Sequence, residues 1–184
     1  QFIDTYSQKF KNANVYFIPK ANIEGLKQNS RYLPCKSFVF PFVYDINRNF
    51  GKDKNNPIIN KILEIADKCD YVIDFHEGYG FHLQNPNTTI GSTIIPNKND
   101  EAKKLADNVV KELNTTLDLQ GYKRFAYYDK SDIKHTLRWY YDNTDKKYLL
   151  VELTGKLNKQ PLELRNKQAF TILEIIFKNL AIIQ

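Results

Sequence analysis

The sequence predicts an α/β protein with three layers, in which helices cover both faces of a mixed and mostly parallel sheet. Short apolar runs rich in β-branched and aromatic residues alternate along the chain with longer segments of helical period, the pattern typical of this class. The chain has 184 residues, of which 42% are apolar and 14% aromatic. That is enough for the core of one domain, so we treat residues 1–184 as a single unit.

The first half of the chain predicts a helix end, a strand, a long connection and then a helix followed by a strand. Thr5 to Asn12 has the pattern of a helix's last turns, and Val15 to Ile18 is a short apolar strand ended by a proline. The aromatic and polar stretch from Pro19 to Gly51 is long enough to carry binding residues. Pro57 begins a helix, and the strand Tyr71 to Phe75 follows it.

The second half continues the alternation. Asp100 to Leu113 is a predicted helix with an acidic first turn. Ser131 is the expected cap of a helix that runs through Tyr141. Tyr148 to Leu153 is a buried strand, and Pro161 begins an amphipathic helix that reaches Leu180.

Charge and composition argue against several classes of function. The formal net charge is +6, but the lysines and arginines are scattered among acidic residues, which indicates a solvated surface and no nucleic-acid partner. No apolar run is long enough to predict a membrane span. Cys35 and Cys69 support neither a disulfide framework nor a CxxC metal site.

Two motifs pair a carboxylate-binding arginine with a candidate metal ligand. Asn47 and Arg48 lie in the string Asp-Ile-Asn-Arg-Asn-Phe, where an amide and a planar guanidinium can grip a substrate carboxylate. His76 ends an apolar strand, the place where α/β sheets collect their ligands. Its imidazole can bind a metal through one nitrogen while a neighbour such as Asp74 holds the other.

Other titratable residues are weaker candidates. Glu152 comes directly after four β-favouring residues, near the end of its strand, and can act as a general base, although a capping or ion-pairing role is the structural alternative. Glu77 and His82 do not have the spacing of a helical zinc motif, and nearby glycines indicate a pocket-lining loop. His135 falls in a predicted helix, where packing or surface exposure explains it.

Together these motifs resemble the zinc carboxypeptidases of the carboxypeptidase A superfamily, near the bacterial peptidoglycan-trimming branch and the succinylglutamate desuccinylase/aspartoacylase group. The resemblance covers most of the chain. It depends on five segments that occur in the family's order: 18–25, 29–31, 45–50, 74–76 and 151–154. The segment 76–82, with 91–95 beyond it, looks like the peptidoglycan branch.

The resemblance implies zinc as the cofactor and His76 as its third protein ligand. Glu152 would act as base and then acid, Arg31 would stabilise the oxyanion, and Asn47 with Arg48 would hold the substrate's carboxylate. A tyrosine would cover the substrate, with four candidates: Tyr127, Tyr128, Tyr140 and Tyr141. The implied reaction is hydrolysis of an amide bond by zinc-activated water, in a peptide or acyl-amino-acid with a free carboxylate.

Three other functions remain open at this point. One is deacylation of an N-acyl amino acid. Another is a non-catalytic module that binds carboxylates after losing its metal, and the weakest is a basic nucleic-acid-binding domain. The resemblance favours a periplasmic or secreted location over a cytoplasmic one, and no signal peptide is visible at Gln1.

The chain departs from the family in one respect. The His-x-x-Glu motif, which supplies the other two zinc ligands, is absent, and residues 1–4 have only a Gln-x-x-Asp outline. A catalytic zinc needs about three protein ligands, so we expect an N-terminally incomplete domain that is inactive alone. Missing strands would leave an unpaired sheet edge, and we therefore expect a possible homo-oligomer through that edge.

Overall fold

The computed structural model describes residues 10–33, 44–130 and 132–183. Within these residues the chain forms five α-helices and four β-strands. In chain order they are α1 (Ile23–Lys27), α2 (Pro57–Ala66), β1 (Tyr71–Gly78), β2 (Thr93–Pro96), α3 (Asp100–Thr116), β3 (Ala126–Tyr127), α4 (Leu137–Tyr141), β4 (Lys147–Thr154) and α5 (Leu162–Asn179). Short 3₁₀ turns occur at Ile46–Arg48, Gly121–Lys123 and Lys156–Asn158.

The four strands form one mixed sheet in the order β1-β4-β2-β3. β1 and β4 are parallel and pair along their full length, from Tyr71 opposite Lys147 to Gly78 opposite Thr154. β2 is antiparallel to β4 and parallel to β3. The predicted α/β class, with a mixed and mostly parallel sheet, is confirmed.

The alternation of side chains along β4 divides the core between the two faces of the sheet. Leu149 and Val151 pack with the apolar residues of α3 and α5. Tyr148 and Leu150 point the other way and pack with α2 and α4. Because successive strand residues face opposite sides, β4 is buried on both faces and forms the centre of a three-layer structure.

Asparagine caps fix where the two helices around the first strands begin. The Asn56 side chain accepts hydrogen bonds from Ile58 N at 2.9 Å and Ile59 N at 3.2 Å, directly before the proline that starts α2. Asn99 does the same for α3, whose first turn is acidic. These side chains satisfy N–H groups that have no partner within the helix.

The structure confirms three of the predicted helices and two of the predicted strands. The helix beginning at Pro57, the helix beginning at Asp100 and the helix following Pro161 all form, and the last two differ from expectation only at their ends. The strands predicted at Tyr71–Phe75 and Tyr148–Leu153 form and are slightly longer. β2 and the two-residue β3 were not predicted.

The strand expected at Val15–Ile18 does not form, although its side chains alternate as a strand's would. Val15 and Phe17 pack against the α3 and α5 core, while Tyr16 and Ile18 are exposed. The segment lacks a backbone ladder with a neighbouring strand, so burial of alternate side chains alone does not make it part of the sheet.

Two further expectations differ from the structure. Ser131 lies outside the described residues, and the helix it was expected to cap begins at Leu137, with Thr136 as the capping residue. The left-handed backbone of His135, with φ of 60°, prevents an earlier start. Of the helix end expected at residues 5–12, residues 5–9 are outside the described part, and residues 10–12 are not helical.

β1 forms one edge of the sheet. Among the described residues, no strand pairs with the side of β1 that faces away from β4. A cavity of about 1000 Å³ lies along this edge, between segment 12–19, α2 and α5, and it reaches Asn47, Asp74 and His76.

In the described part of the chain, no helix combines the length and apolar character needed to cross a bilayer.

Candidate functional site

The register of the sheet brings two predicted site residues together. His76 on β1 lies opposite Glu152 on β4, and Glu152 lies opposite Thr93 on β2. Since residues paired across neighbouring strands point to the same face, the imidazole and the carboxylate share the face covered by α2 and α4. His76 Nδ1 is 3.8 Å from Glu152 Oε1.

Asp74 holds the other nitrogen of the imidazole. It is two residues before His76 on β1 and therefore lies on the same face. His76 Nε2 is 3.2 Å from Asp74 Oδ2, and the same oxygen accepts a hydrogen bond from Tyr148 Oη at 2.8 Å. Tyr148 is fully buried. The result is a continuous chain of hydrogen bonds from the core to the histidine.

The charges of this group shift one another's pKa values. Burial alone would lower the pKa of His76, but Asp74 and then Glu152 outweigh it and raise the pKa to about 9. Burial alone would raise the pKa of Asp74, but the charge and hydrogen bond of His76, with the Tyr148 hydroxyl, lower it. In the metal-free protein at neutral pH, His76 is therefore an imidazolium paired with an ionised Asp74.

Glu152 has the environment of a general base. Its side chain is 12% exposed, and burial, followed by the negative charge of Asp74, raises its pKa, while His76, Arg31 and Arg48 oppose that shift. A carboxylate with a raised pKa takes up and releases a proton closer to neutral pH than an exposed one does. The positive charges of both arginines therefore act on this carboxylate.

Gly78 makes room for the Glu152 carboxylate. A Cβ atom at Gly78 would lie 3.1 Å from Glu152 Oε2 and 2.8 Å from the backbone of Gly91. The connection that returns from β1 to β2 therefore crosses directly over the end of β1. Only a residue without a side chain permits this approach, so Gly78 fixes the space that Glu152 occupies.

Arg31 is presented by a compact turn after α1. The Asn22 side chain accepts from Gly25 N at 2.8 Å and donates to Arg31 O at 3.0 Å, which closes the turn. The guanidinium then pairs with Asp45, with Nε and Nη2 2.9 and 2.8 Å from Oδ2. This pair connects the turn to the Asn-Arg motif, and the charge of Arg31 acts on both His76 and Glu152.

Asn47 and Arg48 lie on the 3₁₀ turn that Asp45 caps, with Asp45 Oδ1 accepting from Asn47 N at 2.9 Å. Asn47 Oδ1 accepts from Leu137 N at 2.9 Å, at the start of α4. With its oxygen engaged in this way, the Asn47 amide keeps its NH₂ group as a donor. Among the described residues, Arg48 has no carboxylate partner, and its Nη1 donates to Asn47 O at 2.5 Å.

The structure separates the candidate tyrosines. Tyr127 packs on the face of α3 and α5, opposite to His76. Tyr128 lies on the same face as His76 but follows β3, three strands away, with its ring against His82 at 5.0 Å. Tyr141 is buried and donates to Asp67, and Tyr140 packs beside it. None of the four contacts His76 or Glu152 in this arrangement of the described residues.

The remaining candidates have structural partners. His82 is buried, and its Nδ1 is 2.9 Å from Thr89 O. Glu77 points to the opposite face from His76 and forms an ion pair with Arg165. His135 packs against the Trp139 ring at 4.8 Å, and its backbone is bonded to that of Phe50.

His76 meets the requirements of one zinc ligand. Its Nδ1 makes no hydrogen bond at 3.8 Å from Glu152, and its Nε2 is held by a carboxylate, the usual arrangement of a metal-binding histidine. Among the described residues, however, no group of three or more His, Cys, Asp or Glu side chains has the geometry to hold a metal. These residues alone do not complete a catalytic zinc site.

Sequence reasoning missed Tyr148, Asp45 and Gly78 as parts of this site. Tyr148 is four residues before Glu152 on β4, so the alternation of the strand predicts that both side chains lie on the same face of the sheet. That β4 pairs with β1 could not be read, because the pairing is set by the whole sheet.

Comparisons of the chain with protein-family models, with curated proteins and with solved structures found no match.

Proposed function

We propose that this chain is a catalytic domain, or part of one, of a zinc metallocarboxypeptidase-like hydrolase that cleaves an amide bond next to a free carboxylate. The observation that carries the proposal is the direct pairing of His76 and Glu152 across β1 and β4. The charges of Arg31 and Arg48 act on the Glu152 carboxylate, and Asn47 lines the same cavity as His76. A peptide ending in a free carboxylate is the substrate class that fits, and peptidoglycan peptides are the specific substrates that we propose.

Each residue has a role that follows from its environment. Arg48 and the Asn47 amide donate to the substrate's carboxylate, because both present N–H groups that carry no carboxylate partner in the described structure. Arg31, held by Asp45, stabilises negative charge on the carbonyl oxygen. Glu152 takes a proton from the attacking water and delivers it to the leaving amine. Zinc, bound to His76 and to ligands outside the described residues, would polarise water and the carbonyl.

A binding module without catalysis is the second candidate. It is favoured by the absence of a three-ligand metal group in the described part of the chain. Such a module would use Arg48, Asn47 and Arg31 to bind a carboxylate and would hold no zinc. The proposed location of the enzyme is periplasmic or extracellular, where peptidoglycan peptides occur.

The carboxylate clamp can be tested with two forms of one peptide. We expect the wild-type protein to bind a peptide with a free C-terminus about 10- to 100-fold more tightly than the same peptide with a C-terminal amide, as expected for charge-assisted hydrogen bonds. Arg48→Ala should remove this preference. The control Arg124→Ala should keep it, because this exposed arginine lies between the 3₁₀ turn Gly121–Lys123 and β3. Equal binding of both peptides by the wild type would contradict the clamp.

Metal content and turnover separate the enzyme from the binding module. Elemental analysis of freshly purified protein should give about one zinc per chain for the enzyme. Glu152→Gln should keep the zinc and bind the peptide but lose turnover, because the amide cannot accept the proton. Carboxylate-dependent binding without zinc or turnover would establish the binding module in its place.

A further inference from the structure

We propose that Tyr148 and Asp74 are positioning residues that orient His76, so that Nδ1 is the nitrogen presented to a ligand. This inference rests on the proposed function, because it assigns the orientation of that site's histidine. It adds to that function a residue from the core, Tyr148, which makes no contact with the open side of the site. The residues involved come from the edge strand β1 and its neighbour β4.

The geometry gives Asp74 Oδ2 two donors. Tyr148 Oη is 2.8 Å away and His76 Nε2 is 3.2 Å away. The tyrosine hydroxyl therefore fixes the position of the oxygen that the imidazole uses. A carboxylate held by only one of these donors could rotate about its last torsion, which is broad for Asp.

The hydrogen-bond chain also selects the protonated nitrogen. An ionised carboxylate only accepts hydrogen bonds, so the nitrogen facing Asp74, which is Nε2, must carry a proton. In a neutral imidazole the lone pair is then on Nδ1. Nδ1 lies 3.8 Å from Glu152, beyond hydrogen-bond distance, and among the described residues it thus remains available.

Tyr148 is itself rigidly held. Its backbone N–H donates to Asn97 Oδ1 at 3.2 Å, and its carbonyl accepts from Asn97 N at 3.0 Å. The side chain is fully buried on the α2 and α4 side of the sheet. The hydroxyl therefore has a fixed position within the core. Because it holds Asp74, and Asp74 holds His76, it also restricts the orientation of the imidazole.

Tyr141 provides a matched control. It is buried in the same core, its ring centroid is 6.1 Å from that of Tyr148, and its hydroxyl donates to a different carboxylate, Asp67, at 2.9 Å. Replacement of either tyrosine by phenylalanine removes one buried hydroxyl and one bond to an aspartate. Only Tyr148→Phe breaks the chain to His76.

The test is the tautomer of His76, read from the ¹⁵N shifts of its ring in the metal-free protein. The spectrum is recorded at about pH 10.5, where a group with a pKa of about 9 is mostly neutral. The wild type should show the tautomer with the proton on Nε2. Asp74→Asn should lose this preference, Tyr148→Phe should weaken it, and Tyr141→Phe should match the wild type.

The outcomes are decisive in either direction. A wild-type ring with its proton on Nδ1 would overturn the proposal, even if Tyr148→Phe did not fold. Equal shifts in Tyr148→Phe and Tyr141→Phe would also overturn it, since they would reflect general loosening of the core. Zinc affinity, measured by competition with a chelator, should fall about tenfold in Tyr148→Phe. The expected tautomers in a protein that binds no zinc would support the positioning role and refute the proposed enzyme.

Discussion

His76 lies between two carboxylates, and its protonation therefore contributes to the stability of the metal-free protein. The folded-state pKa of about 9 is above the ordinary value of 6.5. The stabilisation is thus fully present below pH 6.5 and is lost as the pH rises through about 9. Because the side chain is 27% exposed, we expect a contribution of about 2 kcal/mol, which is less than the full shift would give.

The measurement is the free energy of unfolding in urea, with a chelator present, between about pH 6 and pH 10. The wild type should lose stability relative to His76→Asn across this window. Both proteins share every other titrating group, so the difference between them isolates the histidine and its partners. Parallel pH profiles would show that the imidazole gains nothing from Asp74 and Glu152.

Gly78 provides a second prediction for a single residue. A methyl group there would approach the Gly91 backbone at 2.8 Å and Glu152 Oε2 at 3.1 Å. We expect Gly78→Ala to destabilise the fold by about 1–3 kcal/mol, as overpacking does. We also expect the folded variant to have a lower turnover than the wild type, because the added methyl group displaces Glu152. Gly121→Ala is the control, since nothing lies within 4 Å of its added Cβ. Its only cost is the positive φ of 53°, which alanine adopts less readily than glycine. Unchanged turnover in a folded Gly78→Ala protein would contradict the role given to Gly78.

At the scale of elements, Asn114 joins α3 to the start of β3. Its side chain donates to Phe125 O at 2.9 Å and accepts from Phe125 N at 2.8 Å, so a buried amide replaces two backbone bonds. β3 has only two residues and few ladder bonds of its own. The helix therefore holds in place the residue that leads into this short strand.

We expect Asn114→Ala to cost about 2–4 kcal/mol of unfolding free energy, because it leaves the N–H and C=O of Phe125 buried without partners. Asn108→Ala, at an exposed position on the same helix, should cost less than about 0.5 kcal/mol. Chemical denaturation measures both, and hydrogen exchange should show faster opening at β3 in Asn114→Ala alone. Similar costs for the two variants would contradict this account of β3.

At the scale of the whole molecule, the sequence predicted what depends on local pattern. The helices at Pro57, Asp100 and Pro161 have caps or apolar spacing that can be read directly. The prediction of a strand at Val15–Ile18 was wrong, because the segment has the side-chain alternation of a strand but no backbone pairing with a strand of the described sheet. β3 was missed because two residues are too few to show an alternation.

The candidate site was predictable in its residue types and not in its connections. His76 and Glu152 could each be assigned to the end of a strand, but their pairing across β1 and β4 requires the order of the sheet. The bonds from Tyr148 to Asp74 and from Arg31 to Asp45 join residues 74 and 14 positions apart. Periodicity, which reports only the neighbourhood of each residue, contains no information on such contacts.

The open edge of β1 leads to a prediction about association. An eight-residue strand with no partner on one side, among the described residues, presents unpaired backbone groups that can pair with another chain. Beside it, Tyr16 and Ile18 are 52% and 41% exposed on the segment that lines the same cavity. We expect the protein to associate reversibly through this edge at micromolar concentrations.

Sedimentation velocity over a hundredfold range of concentration, from about 1 to 100 μM, tests this expectation. The wild type should show a sedimentation coefficient that rises with concentration, and the double variant Tyr16→Lys, Ile18→Lys should remain a monomer because charges beside an edge oppose pairing. The control Leu162→Lys, Leu164→Lys removes apolar residues that are 61% and 36% exposed at the start of α5 and do not line that cavity, and it should associate like the wild type. A wild-type protein that stays a monodisperse monomer would show that the edge is protected in solution. Loss of association in both double variants would instead assign it to general surface hydrophobicity.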